Sequence, residues 1–452
     1  MELKGKKVLV VGLGKSGLAA ALFLRHRGAQ VTVSDVRSAE ALAKDIPALL
    51  DEGIMVETGG HGLLTFRRQD LIVVSPGVPL ETPELAQVRS FGLPVIGELE
   101  LAARFLKGRI LAVTGSNGKT TTTTLLGEIL AAAGLATLVG GNIGVPVVNL
   151  VEASTDDSWS VLEVSSFQLE STVEFHPSIA VILNITPDHL DRYAGFEDYV
   201  RAKERIFAAQ TAEDFLVVNA GNEPCVAAAA RSAAQICWFS LDHPVAQGAW
   251  VEDGRVVFRR REHGEAEDVL PLDGIPLKGA HNVENVLAAV AAARLAGVPA
   301  GVIRRAIGSF RAVEHRLEYV ATRRGVEFYN DSKATNVDAT AKAVSAFPSG
   351  IHLILGGKDK GFPYTVLAPL LRERAAAVYT IGAAAAKIES QLRGVVPVCS
   401  CGTLDKAVAA AVAAARPGEV VLLAPACSSF DQFENYEQRG SVFKQLVMEL
   451  PD

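Results

Sequence analysis

Eleven short apolar runs, most followed by an alanine- and leucine-rich stretch of helical length, constrain this chain more than any other feature. They read KVLVVG, VTVSD, LIVVS, RILAVTG, WSVLEVS, IAVILNI, DFLVVN, VEFYND, IHLILGG, AVYTIG and EVVLLAP. Near-continuous Val, Ile and Leu is how a strand reads when helices cover both faces of its sheet, so the alternation predicts α/β layers with parallel sheets. Eleven strands are too many for one ordinary sheet.

Three sheets are expected, and the fold class is α/β with three domains. These are a Rossmann-like N-terminal domain at 1–97, a central phosphate-loop domain with a mostly parallel sheet at 98–312, and a Rossmann-like C-terminal domain at 313–452. The length of 452 residues, 49% hydrophobic and 21% charged, supplies several cores. A net charge of −7 gives no electrostatic reason to bind nucleic acid or an anionic membrane. The start, MELKGKKVLVVGLGKSGLAAALF, resembles a signal peptide, but Gly12, Gly14, Lys15 and Gly17 break its apolar run into strand, turn and helix. The five cysteines, Cys225, Cys237, Cys399, Cys401 and Cys427, form no C-x-x-C pattern. They read as reduced, mostly buried thiols of a cytoplasmic protein.

The strongest chemical signal is Thr114-Gly115-Ser116-Asn117-Gly118-Lys119-Thr120, lying between an apolar strand and a helix with Leu125, Leu126, Ile129 and Leu130 on one stripe. Glycines let backbone N–H groups converge on phosphate, and the helix N-terminus adds positive potential. Lys119 suits β/γ-phosphates and the Thr120 hydroxyl suits Mg²⁺. Val113 occupies the place of the first glycine in G-x-x-x-x-G-K-[ST], yet strand, loop and helix coincide. A plain glycine turn with an exposed lysine is the weaker reading.

Other candidates cluster at strand ends, where open α/β sheets place their sites. Glu163 ends WSVLEV and is equally a Mg²⁺ ligand or an N-cap or surface acid. His189 follows IAVILNI with Asp188 and Asp191 beside it. Lys203 shares a helical face with Tyr199, Ile206 and Phe207; taken alone it is expected to snorkel to solvent. Asn282 and Asn285 lie three apart at the start of a helix, as a cap or as ligands of a base or ribose. The segments 331–336, 356–361 and 426–433 follow three strands of the last domain and carry Lys, Thr, Ser and Asp. Together they fit a small, doubly anionic ligand. Near the N-terminus, Gly12-Leu13-Gly14-Lys15-Ser16-Gly17, with Asp35 ending the second strand, matches a dinucleotide fingerprint. That pattern admits a diphosphate-bearing nucleotide without choosing NAD over UDP.

TGSNGKT, LEVSSFQLE, NITPDHLDRY, YVRAKERIF, GAHNVEN, EHR, NDSKATN and PACSSFDQFENYEQRG occur in the order found in Mur ligases of peptidoglycan synthesis, and the chain resembles that family over nearly its whole length. GLGKSG, SPGVP, NDSKATN and SSFDQF resemble its D-glutamate-adding branch most closely. The resemblance implies an ATP-dependent amide ligase that joins D-glutamate to UDP-N-acetylmuramoyl-L-alanine through an acyl phosphate. It implies that Gly14, Lys15, Ser16, Asp35, Val36, Arg37, Ser75, Gly77 and Asn142 hold the UDP-substrate. Lys15 and Val36 stand at variable positions. Gly115, Ser116, Asn117, Gly118, Lys119, Thr120, Thr121, Asn282, Asn285, Arg316 and Asp331 would hold ATP. Lys119, Glu163, His189 and Lys203 would be catalytic. Thr120 and Glu163 would hold one Mg²⁺, and His189 and Lys203 a second, with Lys203 a CO₂-derived carbamate. Lys333, Thr335, Lys360, Ser429 and Tyr436 would hold D-glutamate. The family often has Phe at the place of Tyr436, and the contact there is through backbone. The third domain would close on the acyl phosphate and exclude water.

The implied partners are small molecules alone, with no nucleic acid or membrane, for a monomer. Folylpolyglutamate synthases are expected to lack the GLGKSG domain, and other Mur ligases fit the first-domain and C-terminal motifs less well. An NAD(P)-dependent oxidoreductase leaves TGSNGKT unexplained. A nucleotide-operated binding module would bind ATP without substrate-dependent ADP formation.

Overall fold

Every one of the eleven runs is a strand in the computed structural model, which describes residues 1–189, 192–311 and 313–451. Asp191, expected beside His189, and Ala312, at the expected domain boundary, lie outside the described residues.

The strands form three sheets. The first is fully parallel, ordered Met55–Thr58, Gln30–Asp35, Lys7–Val11, Leu71–Val74, Val95–Gly97. Its order reverses between Lys7–Val11 and Leu71–Val74, which opens a crevice at their carboxyl ends. The second sheet has nine strands, with Arg109–Thr114 between Trp159–Glu163 and Ile179–Ile182. Its far side extends through Phe215–Asn219 and Gln235–Ser240 into Gly248–Glu252, Arg255–Arg259 and Glu267–Pro271. The third sheet is ordered Glu318–Arg323, Val326–Asn330, Val420–Leu423, Ile351–Gly356, Ala375–Ile381, Val398–Gly402, antiparallel only at its first pair.

By its contacts the chain divides into two compact units: Met1–Leu270 with Leu287–Ala306, and Pro271–Val286 with Ile307–Asp452. The first two sheets share one unit because a continuous apolar core joins them, running from Val8, Val10, Leu24 and Leu101 to Val147, Leu162 and Ile182. The third sheet has a core on each face, one around Leu353 and Leu422, the other around Ile354 and Phe443. The helix expected to open at Asn282 begins earlier and spans Ala280–Leu295. No helix among the described residues is long and apolar enough to cross a membrane.

Candidate active site

The phosphate loop is shaped by two glycines that L-residues replace poorly, Gly115 at φ +150° and Gly118 at φ +87°. A Cβ on Gly115 would press on Leu183 and the Asn184 carbonyl. Asn184 fixes the loop from the neighbouring strand end. Its carbonyl accepts the Ser116 N–H at 2.9 Å, its Oδ1 accepts the Asn117 N–H at 2.9 Å, and its Nδ2 donates to the Asn117 carbonyl at 3.1 Å. The helix Lys119–Ala132 follows directly, with Leu125, Leu126, Ile129 and Leu130 fully buried. Lys119 Nζ folds over the loop and donates to the Gly115 and Ser116 carbonyls at 2.9 and 3.0 Å. Thr120 and Thr121 sit in the first helical turn, and Thr120 Oγ1 donates to Glu163 Oε2 at 2.7 Å.

Glu163 is buried at the end of its strand and also accepts Asn142 Nδ2 at 2.9 Å. The cap and surface readings of Glu163 therefore fail: the N-cap of the next helix is Ser165. Asn142, expected with the UDP-substrate group, lies against Glu163. Its loop meets the first sheet through Lys15 Nζ, which donates to the Gly144 carbonyl.

Lys203 does not snorkel. It lies on a helix, Phe196–Glu204, whose inward face also carries Tyr199 and Val200, and only 1% of it is exposed. Its Nζ donates to the Gly115 carbonyl at 2.8 Å and stands 4.6 Å from the centre of the Tyr199 ring. Burial drives its pKa well below the ordinary lysine range, and the like charge of Lys119 adds to this against the pull of Asp188 and Glu163. His189, at φ +54°, packs on Phe167 with ring centres 4.8 Å apart and faces Tyr199 at 6.3 Å. Tyr199 thus neighbours both His189 and Lys203, and its hydroxyl lies 3.1 Å from Ser116 Oγ.

In the first sheet three strand-end loops meet at the crevice. Gly12 is at φ +89°, and a Cβ on Gly17 would strike the Gly12 carbonyl at 1.9 Å. Ser75 Oγ donates to that carbonyl at 2.6 Å. Gly14, Lys15 and Ser16 form the N-terminal end of the helix Lys15–His26. Asp35 accepts the Leu13 N–H at 2.6 Å and a two-pronged contact from Arg37 at 2.9 and 3.0 Å. Burial opposes ionisation of Asp35, yet Arg37 and these backbone donors hold it at about 2. Val36 is exposed, and the Gly77 carbonyl faces Arg192 at 3.4 Å.

In the other unit, Asn282 and Asn285 are buried on one face of their helix, Asn285 Nδ2 donating to Asn282 Oδ1 at 3.1 Å. Asn282 lies inside the helix, so the cap reading fails. Arg316 acts electrostatically on both Asp331 and the neighbouring His281. Burial raises the Asp331 carboxyl to about 7, against Arg316 and the Leu317 N–H.

The three loops of the third sheet converge as expected. Lys333 Nζ lies 3.6 Å from the centre of the Tyr436 ring. The Thr335 N–H donates to the Lys333 carbonyl at 2.8 Å. The loop bearing Lys360 is joined to that of Ser429 where the Lys358 N–H donates to the Ser428 carbonyl at 2.9 Å. Ser429 is buried.

Residues 6–97 match the MurD-like N-terminal domain of Mur ligases, 113–293 the Mur ligase middle domain, and 315–427 the Mur ligase glutamate ligase domain. The chain belongs to the Mur ligase family. A UDP-N-acetylmuramoylalanine--D-glutamate ligase of Acidobacterium capsulatum is 70% identical over 99% of this chain and 97% of its own length. One from Koribacter versatilis is 59% identical over 100% and 99%. Among solved structures, UDP-N-acetylmuramate-alanine ligase MurC of Thermotoga maritima shares the fold with a TM-score of 0.60 at 19% identity, over 98% of this chain and 99% of that one.

In this Mur ligase, three residues shape the site without being candidates in the sequence: Asn184, Tyr199, which neighbours both His189 and Lys203, and Arg439. Arg439 is fully buried and donates to Ser332 Oγ at 2.9 Å, the Ser332 carbonyl at 2.8 Å and the Cys427 carbonyl at 3.2 Å. It ties the loop of Lys333 to that of Ser429. It lies in the motif PACSSFDQFENYEQRG, where nothing local singles it out from its charged and polar neighbours.

Proposed function

We propose that this Mur ligase joins D-glutamate to UDP-N-acetylmuramoyl-L-alanine at the expense of ATP, as a monomer acting on small molecules in the cytoplasm. The observation that carries the reading is the glycine–lysine loop at the head of the helix Lys119–Ala132, set beside Glu163 and a buried, charge-depressed lysine. Residues 1–97 would bind the UDP moiety through Gly14, Lys15, Ser16, Asp35, Val36, Arg37, Ser75 and Gly77, with Asn142 from the next domain. Residues 98–312 would grip the ATP phosphates through Gly115–Thr121. Asn282, Asn285, Arg316 and Asp331 would contact adenine and ribose. Residues 313–452 would present D-glutamate from Lys333, Thr335, Lys360, Ser429 and Tyr436.

A carboxylate is a poor electrophile, so the alanyl carboxylate must first take the γ-phosphoryl of ATP. Phosphoryl transfer asks mainly for positioning and charge neutralisation. Lys119 supplies one fixed charge and the loop N–H groups supply donors. The amine of D-glutamate, once neutral, attacks the acyl carbon and phosphate leaves. His189, against Phe167 and Tyr199, serves as an orienting group.

The donor set fits Mg²⁺, since Thr120 and Glu163 offer hard oxygens 2.7 Å apart. Among the described residues no group of three or more His, Cys, Asp or Glu gathers, so phosphate and water oxygens would complete the shell, as this ion prefers. Mg²⁺ held there would neutralise charge on the transferring phosphoryl group. Lys203 fits a carbamate: its buried amine, once neutral, would add to CO₂, forming an N–C bond and losing a proton, and would then offer an anionic oxygen ligand, with His189, to a second ion.

The test is ADP release with UDP-N-acetylmuramoyl-L-alanine, magnesium and each candidate amino acid in turn. Release only with D-glutamate supports the reading, and no release with it defeats it. Lys119→Ala should lower turnover by about 10³-fold or more while UDP-precursor binding persists; near-normal turnover would remove the phosphate-loop assignment.

A further inference from the structure

Cys399 and Cys401 are unlike the other three cysteines, which are buried. They stand two residues apart on Val398–Gly402, the edge strand of the third sheet. Cys399 is exposed and Cys401 half-buried. Side chains two apart on a strand share a face, and here the sulfurs are 3.7 Å apart, the Cys401 S–H donating toward Cys399. The pairing of this strand slips at Cys401: Thr380 lies opposite Ser400, and Ile381 opposite Gly402. Cys401 is the extra residue of a bulge, where the ladder restrains the backbone least. Two residues of strand span about 6.6 Å between Cα atoms, inside the range that a disulfide bridges.

We propose that Cys399 and Cys401 are a reversible thiol–disulfide pair that reports to the amino-acid-binding loops. The oxidant is a peroxide. The exposed Cys399 sulfur, as thiolate, attacks one peroxide oxygen, the O–O bond breaks, and the leaving hydroxide takes a proton to become water. The Cys401 sulfur then attacks Cys399, the S–O bond breaks, and a second water leaves with the Cys401 proton. Two thiols and one peroxide become one disulfide and two waters. Burial first, then the Cys399 sulfur, raise the pKa of Cys401, which suits it to the second, resolving role.

The consequence travels one residue. The Gly402 carbonyl accepts the Gln432 side chain at 2.8 Å and the Gly382 N–H at 3.0 Å. Gln432 belongs to the loop of Ser429, and Gly382 is wedged against Asp431 and Gly357, so that an added Cβ would meet Asp431 Oδ2 at 2.3 Å. Closing the Cys-Ser-Cys ring must pull the Gly402 carbonyl. This second half of the proposal rests on the assignment of the Ser429 loop to D-glutamate.

The experiment treats the full-length protein with hydrogen peroxide, then measures whole mass, a peptide map and steady-state kinetics. The mass should fall by two hydrogens, located in the peptide holding both cysteines, and Cys399→Ser and Cys401→Ser should each abolish the fall. The KM for D-glutamate should rise about fivefold, the size of one weakened hydrogen bond, with the KM for ATP unchanged and full reversal by a dithiol reductant. No loss of two hydrogens, or a loss mapped elsewhere, overturns the pair. The mapped loss with an unchanged KM for D-glutamate overturns its coupling to the loop. The mass result stands whether or not D-glutamate proves to be the substrate.

Discussion

Lys203 and Arg439 are both buried cations, one in each unit of the molecule, and their surroundings differ. Arg439 donates through three nitrogens to oxygens of two loops. Burial lowers its pKa, but only to about 10, so its charge survives at neutral pH. Lys203 donates to one carbonyl and leans on one ring, and its charge is further opposed by Lys119. An arginine cannot shed its proton and must be satisfied by geometry, whereas a lysine can escape through chemistry. The difference separates a satisfied charge from an opposed one: Arg439 holds loops in place, and burial and Lys119 work against the charge of Lys203.

Lys203→Met breaks the comparison most sharply. It retains a linear apolar stem and removes the nitrogen that the proposed carbamate needs. We expect turnover to fall by about 10²-fold or more, with thermal stability unchanged or improved, because the cost of an amine held away from its ordinary pKa disappears. Phosphate release and a thermal melt check it. A melt lowered as far as for the arginine variant would make Lys203 a structural cation like its counterpart. In a well-ordered crystal of the wild type grown with magnesium, density beyond Nζ should mark the carbamate.

Arg439→Met should have the opposite signature. The Ser332 and Cys427 carbonyls would lose a buried donor, costing on the order of 3 kcal/mol. Denaturant unfolding should show that loss, with kcat falling less than for Lys203→Met and the KM for D-glutamate rising because the loops of Lys333 and Ser429 share this anchor. Unchanged stability would mean that water satisfies both carbonyls.

The two cations also show how far the sequence could be read. The central strands were legible because burial on both faces leaves runs such as IAVIL with no polar interruption. Edge strands were not: MVET, TLVGG and VCSCG are short and partly polar, since one flank has no neighbour to match. The extension from Gln235 to Pro271 was missed for a related reason, as RVVFR and GAWVE mix charge or glycine with half-buried positions. In the site, the phosphate loop was readable because its chemistry is local. Lys203 read as a solvated lysine because its burial is set by Gly115, 88 positions away. Ser332, which accepts two of the three hydrogen bonds from Arg439, is likewise distant, 107 positions away.

A buried anion extends the comparison with a smaller effect. Glu98 lies 1% exposed at the start of the helix Glu98–Ala103, where Oε1 accepts the Val148 N–H at 2.8 Å while Oε2 has no partner among the described residues. Burial raises its carboxyl from 4.5 to about 7, against the pull of the Val148 and Val147 N–H groups. The folded protein therefore keeps a proton that the unfolded chain releases above pH 4.5. The folded state binds more protons across that interval, so stability must fall as pH rises from about 4.5 to about 7, by at most about 3 kcal/mol. Glu98→Gln retains the acceptor for Val148 and cannot ionise. Its unfolding free energy should be flatter than the wild type across that window, with the two curves diverging most at neutral pH, where the variant is the more stable. Equal slopes would place the ionised carboxylate in the folded state. Glu98 would then resemble Arg439, a buried charge held by its surroundings, and not Lys203.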